Sequence, residues 1–147
     1  MDKVALKTTL IKAHQEMLQQ LRDEYASYQS GGNLNLDEVR DAGDSSHREE
    51  TEEYLQALER QIHQREHEIK MLRDLDFGHK TSVTMGAVAL VNGQYYIIGI
   101  PACQFDFEEK HFIAMSADAP FYQVLMDKKQ NDSFVFNDKT FMIESIF

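Results

Sequence analysis

The hydrophobic period of this chain changes near Phe77, and that change divides it into two kinds of structure. Before it, apolar residues recur every three or four positions. After it, they alternate. From Leu6 to Tyr28 the apolar positions are Leu6, Leu10, Ala13, Met17, Leu21, Tyr25 and Tyr28, which form one helical stripe without proline. The stripe is expected to end at "SGGNLN", residues 30–35, where paired glycines favour fraying or a break. Leu36–Ala42 can add a further turn. A second stripe runs through Leu55, Leu58, Ile62, Arg65, Ile69 and Leu72, with steps alternating three and four, the seam of a coiled coil. Arg65 sits on that seam, where its aliphatic stem can lie along a neighbouring helix. Ser45 or Ser46 is the expected N-cap, with Glu49 and Glu50 in the first turn, and "DFGH" (residues 76–79) is the expected stop. A helix of about 30 residues is roughly 45 Å long and cannot bury its own stripe. An antiparallel hairpin turning near residues 37–47 is the economical solution.

Beyond Phe77 the segment Ser82–Val91, then Asn92-Gly93, then Gln94–Ile100 reads as a β-hairpin, because both residues of a tight hairpin turn must accept positive φ. His111–Ser116 is a further strand. Ala119–Met126 opens with Pro120 and has helical spacing at Phe121, Val124 and Leu125. Asp132–Asp138 and Lys139–Phe147 form a second hairpin through Asn137-Asp138. The expected fold class is α+β: an N-terminal coiled-coil hairpin over residues 1–76, then a small antiparallel sheet domain with one helix over 77–147.

Composition narrows the function. Of 147 residues 42% are hydrophobic and 27% charged, enough apolar surface for a core. The formal net charge is −10, which disfavours direct binding to a nucleic-acid backbone. Cys103 is the single cysteine, so an internal disulfide is excluded and a reducing, cytoplasmic location is expected. The first residues lack the apolar core of a signal peptide, and no run of 18 apolar residues suits a membrane. The acids are concentrated: residues 37–53 hold Asp37, Glu38, Asp41, Asp44, Glu49, Glu50, Glu52 and Glu53 against Arg40 and Arg48, a net −6. Acids at the turn of a long hairpin cannot close a pocket on their own. They can be delivered into another protein's pocket, where carboxylate oxygens suit Mg²⁺ and a metal ion so held can activate water.

Two stretches carry a resemblance. "AGDSSHREETEEY" (residues 42–54) is similar to the hairpin tip of the bacterial Gre transcription elongation factors, GreA and GreB. That tip has a Gly-Asp, then Ser and Glu, then an Ala-Glu-Tyr; Gly43-Asp44, Ser46 and Glu53-Tyr54 stand in those places. "MSADAPFYQVLMDKKQNDSFVF" (residues 115–136) resembles the family's Ser, Ser-Pro pair, short helix ending in Leu-Leu-Gly-Lys-Lys, and Gly-Asp before a strand. The counterparts are Ser116, Ala119-Pro120, Leu125-Met126, Lys128-Lys129 and Asn131-Asp132.

The resemblance covers nearly the whole chain and implies an FKBP-like sheet domain that docks on bacterial RNA polymerase, with Ser116, Pro120 and Phe121 as docking candidates. It implies a coiled coil reaching into the polymerase's secondary channel, whose tip acids help hold a catalytic Mg²⁺ so that the polymerase cleaves backtracked RNA. Asp44 falls on the tip Asp, and Asp41, Glu49 and Glu50 are the neighbouring candidates. The family's second tip acid comes three residues after the first, where this chain has His47. Two readings follow: a factor that stimulates cleavage, and a Gre-fold regulator that binds polymerase without doing so. Either way the chain has no catalytic residues or cofactor of its own, its Mg²⁺ is shared with the polymerase, and it meets nucleic acid only through the transcription complex. A monomer is expected, although a seam holding Arg65 can also pair with a second copy.

Other motifs have plainer readings. His63-Gln-Arg-Glu66-His67 matches an inverted zincin pattern, but the seam positions put both histidines on the outer helix face with no third ligand in view. Cys103 reads as a small apolar residue near a strand end, with no basic partner to activate it. The acidic run by itself is an ordinary solvated turn.

Overall fold

The computed structural model describes residues 1–34 and 44–147, excepting the side chains of 32–34 and 44–45. Helix α1 spans Lys3–Leu34 and α2 spans Asp44–Asp74. Asp2 caps α1, its Oδ1 accepting from the backbone N–H groups of Val4 and Ala5 at 3.0 Å each. α1 passes through the paired glycines and ends at Leu34, within residues 30–35 where the stripe was expected to end. Glycine costs about 1 kcal/mol in a helix interior. In the turn just before, the Tyr28 ring packs against Tyr54 of α2, tilted by 51° with 4.6 Å between centroids. α2 begins at Asp44, so Ser45 and Ser46 lie inside its first turn rather than capping it. The segment Leu36–Ala42 and the expected turn lie largely outside the described residues.

The chain divides into two compact units, Ile11–Lys70 and Met1–Leu10 with Met71–Phe147. In the first, α1 and α2 lie antiparallel. His14 meets Arg65 and Glu68, Arg22 meets Glu66, Glu24 meets Tyr54 and Tyr25 meets Glu59, so the earlier part of α1 faces the later part of α2. The buried stripe of α1 differs from the apolar one expected. Leu10, His14 and Leu18 are buried, whereas Met17 is exposed. On α2 Leu58, Ile69 and Leu72 of the expected stripe are buried, and Leu55, Ile62 and Arg65 are half-buried. Among the described residues no helix is long and apolar enough to cross a membrane.

The second unit is built on a six-stranded sheet. Its strands are β1 (Val88–Val91), β2 (Gln94–Ile98), β3 (Cys103–Phe107), β4 (Lys110–Met115), β5 (Ser133–Phe136) and β6 (Lys139–Ile146), in the order β3-β4-β2-β1-β6-β5. The β1–β2 turn places Asn92 and Gly93 at φ 45° and 78°, and the β5–β6 turn places Asn137 and Asp138 at 49° and 61°, as the sequence suggested. Two features were not expected. β3 is an edge strand, paired with β4 across a Glu108-Glu109 turn. The sheet is also not wholly antiparallel, because β4 runs parallel to β2. Gly99, at φ 94°, and Pro101 carry the chain away from β2 to the edge, and β4 then returns between β3 and β2.

Helix α3 (Pro120–Leu125) buries Tyr122 and Leu125 in a core with Val83, Ala89, Val91, Ile98, Met115, Phe134 and Ile143. On the sheet, Phe112 is flanked by Phe105 and Tyr95 of the adjoining strands, at 5.4 and 5.1 Å between centroids. The start of α1 belongs to this unit. Leu6 is fully buried, and Lys3 Nζ donates to the main-chain oxygens of Gly78, Gly86 and Phe147 at 2.8, 3.0 and 2.8 Å.

Candidate functional site

The acidic candidates gather at the start of α2. Asp41 lies outside the described residues. Asp44 is the first residue of the helix, and Glu49 and Glu50 are exposed one turn further on. At ~100° per residue, helix position 49 lies about 140° around from position 44, and position 50 about 120° the other way. Neither shares the face of position 44. The positions that do are 47 and 48, held by His47 and Arg48. His47 is well exposed, and its Nδ1 stands 3.8 Å from Glu50 Oε2. Among the described residues no three His, Cys, Asp or Glu side chains are placed to hold one metal ion.

The docking candidates surround the start of α3. Ser116 is half-buried, and its carbonyl accepts from the Ala119 N–H at 3.2 Å. Pro120 is exposed at the first helical position. Phe121 is turned into the fold instead: its ring lies 5.0–5.5 Å, centroid to centroid, from Tyr96, Phe134, Phe136 and Phe141. It therefore shapes the surface around Pro120 more than it offers one. After α3 the chain passes Asp127 and Asn131, both with positive φ, and presents Lys128 and Lys129 before β5.

The remaining motifs separate clearly. His63 and His67 are exposed, and Glu66 between them is held by Arg22 at 2.6 Å, with His63 Nδ1 at 3.5 Å. The bond from Arg22 keeps the Glu66 carboxyl below its usual range. That engages the acid of the zincin pattern in a cross-helix ion pair. Cys103 is half-buried at the first position of β3.

Sequence reasoning missed a polar cluster in the helix seam. His14 and Glu68 are buried, 4% and 6% exposed, in a position otherwise given to leucine and isoleucine. Burial and the nearby Arg65 guanidinium lower the His14 pKa, against the opposing pull of Glu68. The signal was present in the spacing: Leu6, Leu10, His14 and Leu18 are four apart, a stripe that a search for apolar residues alone skips. Nearer the turn, Tyr25 donates to Glu59 at 2.7 Å and Tyr54 to Glu24. The carboxylate bound to Tyr54 raises its hydroxyl pKa to about 12. These bonds tie the helices together beside the acidic end and leave Glu24 and Glu59 engaged.

No family model, curated protein or solved structure matches this chain.

Proposed function

We propose that this chain is a Gre-like transcription elongation factor: a coiled-coil hairpin with an acidic turn, and an FKBP-like sheet domain that docks on bacterial RNA polymerase. In this reading the hairpin enters the secondary channel and promotes cleavage of backtracked RNA. The observation that carries it is the coincidence of element order with motif position. Asp44 opens the second of two paired helices, and Glu49 and Glu50 are exposed one turn further on. The Ser116–Asp132 motif falls on a strand end, a Pro-led short helix, a Lys-Lys pair and a tight turn before β5. Asp44 supplies the tip carboxylate, and Pro120 stands on the docking surface beside Ser116. The Mg²⁺ takes its other oxygen ligands from the polymerase, because one carboxylate from the hairpin holds such an ion weakly.

A second reading is favoured by a specific observation. Position 44 shares its face with His47 and Arg48 rather than with Glu49 or Glu50, and His47 lies beside Glu50. An imidazole is a poor ligand for Mg²⁺. On this reading the chain binds polymerase without stimulating cleavage. Pull-down of core RNA polymerase followed by an RNA-cleavage assay on a stalled complex separates the cases. Binding with faster cleavage supports the first, and binding without it supports the second. Absence of binding overturns both.

A further inference from the structure

The seam between α1 and α2 holds a buried charged cluster. His14 Nδ1 stands 3.1 Å from Arg65 Nη1 and 3.6 Å from Glu68 Oε2. The same Arg65 nitrogen donates to Glu68 Oε2 at 2.6 Å, and Gln64 Nε2 donates to Glu68 Oε1 at 3.1 Å. A guanidinium has only donors and stays charged throughout the range in which proteins fold. The imidazole nitrogen facing it must therefore offer its lone pair. That geometry assigns His14 as the neutral ring with its proton on Nε2.

We propose that His14 makes this helix pair an acid-sensitive lock, closed while the imidazole is neutral and loosened when it takes a proton. Protonation replaces an acceptor with an N–H aimed at another donor. It also sets a second positive charge 3.1 Å from the guanidinium, in a site almost closed to water. Across the seam α2 presents Arg65 and Glu68 as the charged groups facing the ring. On α1 the positions three and four residues away are Leu10, Ile11, Met17 and Leu18, none charged. Glu68 is thus the anion available among the described residues, and Arg65 and Gln64 already hold it. If it turns to His14, it abandons Arg65, whose Nε is already buried without a partner.

The sign follows from linkage. Burial and Arg65 bring the folded-state pKa of His14 below 6.5. Above 6.5 both folded and unfolded chains carry the neutral ring, and the cluster's contribution is whole. Below 6.5 the unfolded chain takes the proton first, and stability is lost as the pH falls towards the folded-state value. The lock does not depend on what the chain binds.

Amide hydrogen exchange on the full chain tests it, at about pH 7 and about pH 5, on either side of the ordinary histidine pKa. Intrinsic exchange rates are corrected for pH, and His14→Gln serves as the control. The glutamine oxygen can accept from Arg65 but does not titrate. The expected result is a several-fold loss of protection in residues 10–18 and 62–69 of the wild type at the lower pH. The sheet should lose less, and His14→Gln should show no such loss. Equal losses in both proteins, or none in the wild type, overturn the proposal. Should His14→Gln fail to fold, the ¹⁵N shifts of the wild-type ring decide. An Nε2–H tautomer titrating below 6.5 supports the lock. An Nδ1–H tautomer, or titration at or above 6.5, overturns it.

Discussion

Arg65 Nη1 donates to Glu68 Oε2 at 2.6 Å, three residues along α2, and holds a buried carboxylate in a seam of leucine and isoleucine. Neither residue is there for the strength of the pair, because desolvation consumes most of what a buried ion pair gains. The pair matters because each charge makes the other tolerable. Arg65→Leu is expected to destabilise the chain by roughly 3 kcal/mol, since it removes the cation paired with the buried Glu68 carboxylate and leaves it the Gln64 amide. Adding Glu68→Leu should recover most of that loss. Urea unfolding of both variants checks this, and a double variant no better than the single one would refute it.

The β3–β4 turn is a second costly choice. Glu108 and Glu109 sit at φ 48° and 60°, a conformation that asparagine and glycine adopt far more readily. Glu108→Asn with Glu109→Gly should raise stability by about 1 kcal/mol, by relieving that strain. The urea midpoint should rise without a change in m-value.

Gly86 has φ 78°, and an added Cβ would lie 1.9 Å from the carbonyl oxygen of Asp76. Backbone cannot yield as a side-chain end can. Gly86→Ala should therefore cost at least about 3 kcal/mol or prevent folding. Gly93 has the same φ but nothing within 4 Å of an added Cβ. Gly93→Ala should cost only about 1 kcal/mol, the positive-φ penalty alone. Thermal melts of the two variants distinguish clash from strain.

Asp44→Asn removes a charge and keeps the shape. Under the cleavage-promoting reading it should abolish stimulated RNA cleavage while polymerase binding is retained. Unchanged cleavage would remove Asp44 from the tip role. In that event Glu49→Gln and Glu50→Gln, compared singly, show which of the two exposed acids acts.

Pro120 is exposed at the first position of α3, where a carboxylate favours the helix dipole. Pro120→Glu should therefore fold normally. If the surface beside Ser116 docks on polymerase, the substitution should weaken binding by about tenfold, the ~1.4 kcal/mol effect of a disturbed interface residue. Full-strength binding by a folded variant would move the docking surface elsewhere.

The helical stripe of α2, the hairpins at Asn92-Gly93 and Asn137-Asp138, and the Pro-led α3 were all legible because their signals are local. A seam repeats along one helix, and a tight turn announces itself in two residues. Strand β3 does alternate, with Cys103, Phe105 and Phe107 set against Gln104 and Asp106, but it ends in a glutamate pair that carries no turn signal. Its place at the sheet edge and the parallel pairing of β2 with β4 were not legible. They depend on which distant strand offers its free edge, a choice made by burial across the whole sheet.

The candidate site divides in the same way. The concentration of acids between residues 37 and 53 is a property of the sequence alone, as are the position of His47 and the charge that any partner would meet. The start of α2 at Asp44 was decided in the folded chain, and it sets which acids share a face, because one residue of shift in a helix turns every side chain by ~100°. Tertiary structure likewise decided that His14, not Ala13 or Met17, faces the seam. Periodicity tells which residues share a helix face. The partner helix decides which of them lose water, and a histidine takes its protonation state from that loss and from the guanidinium beside it.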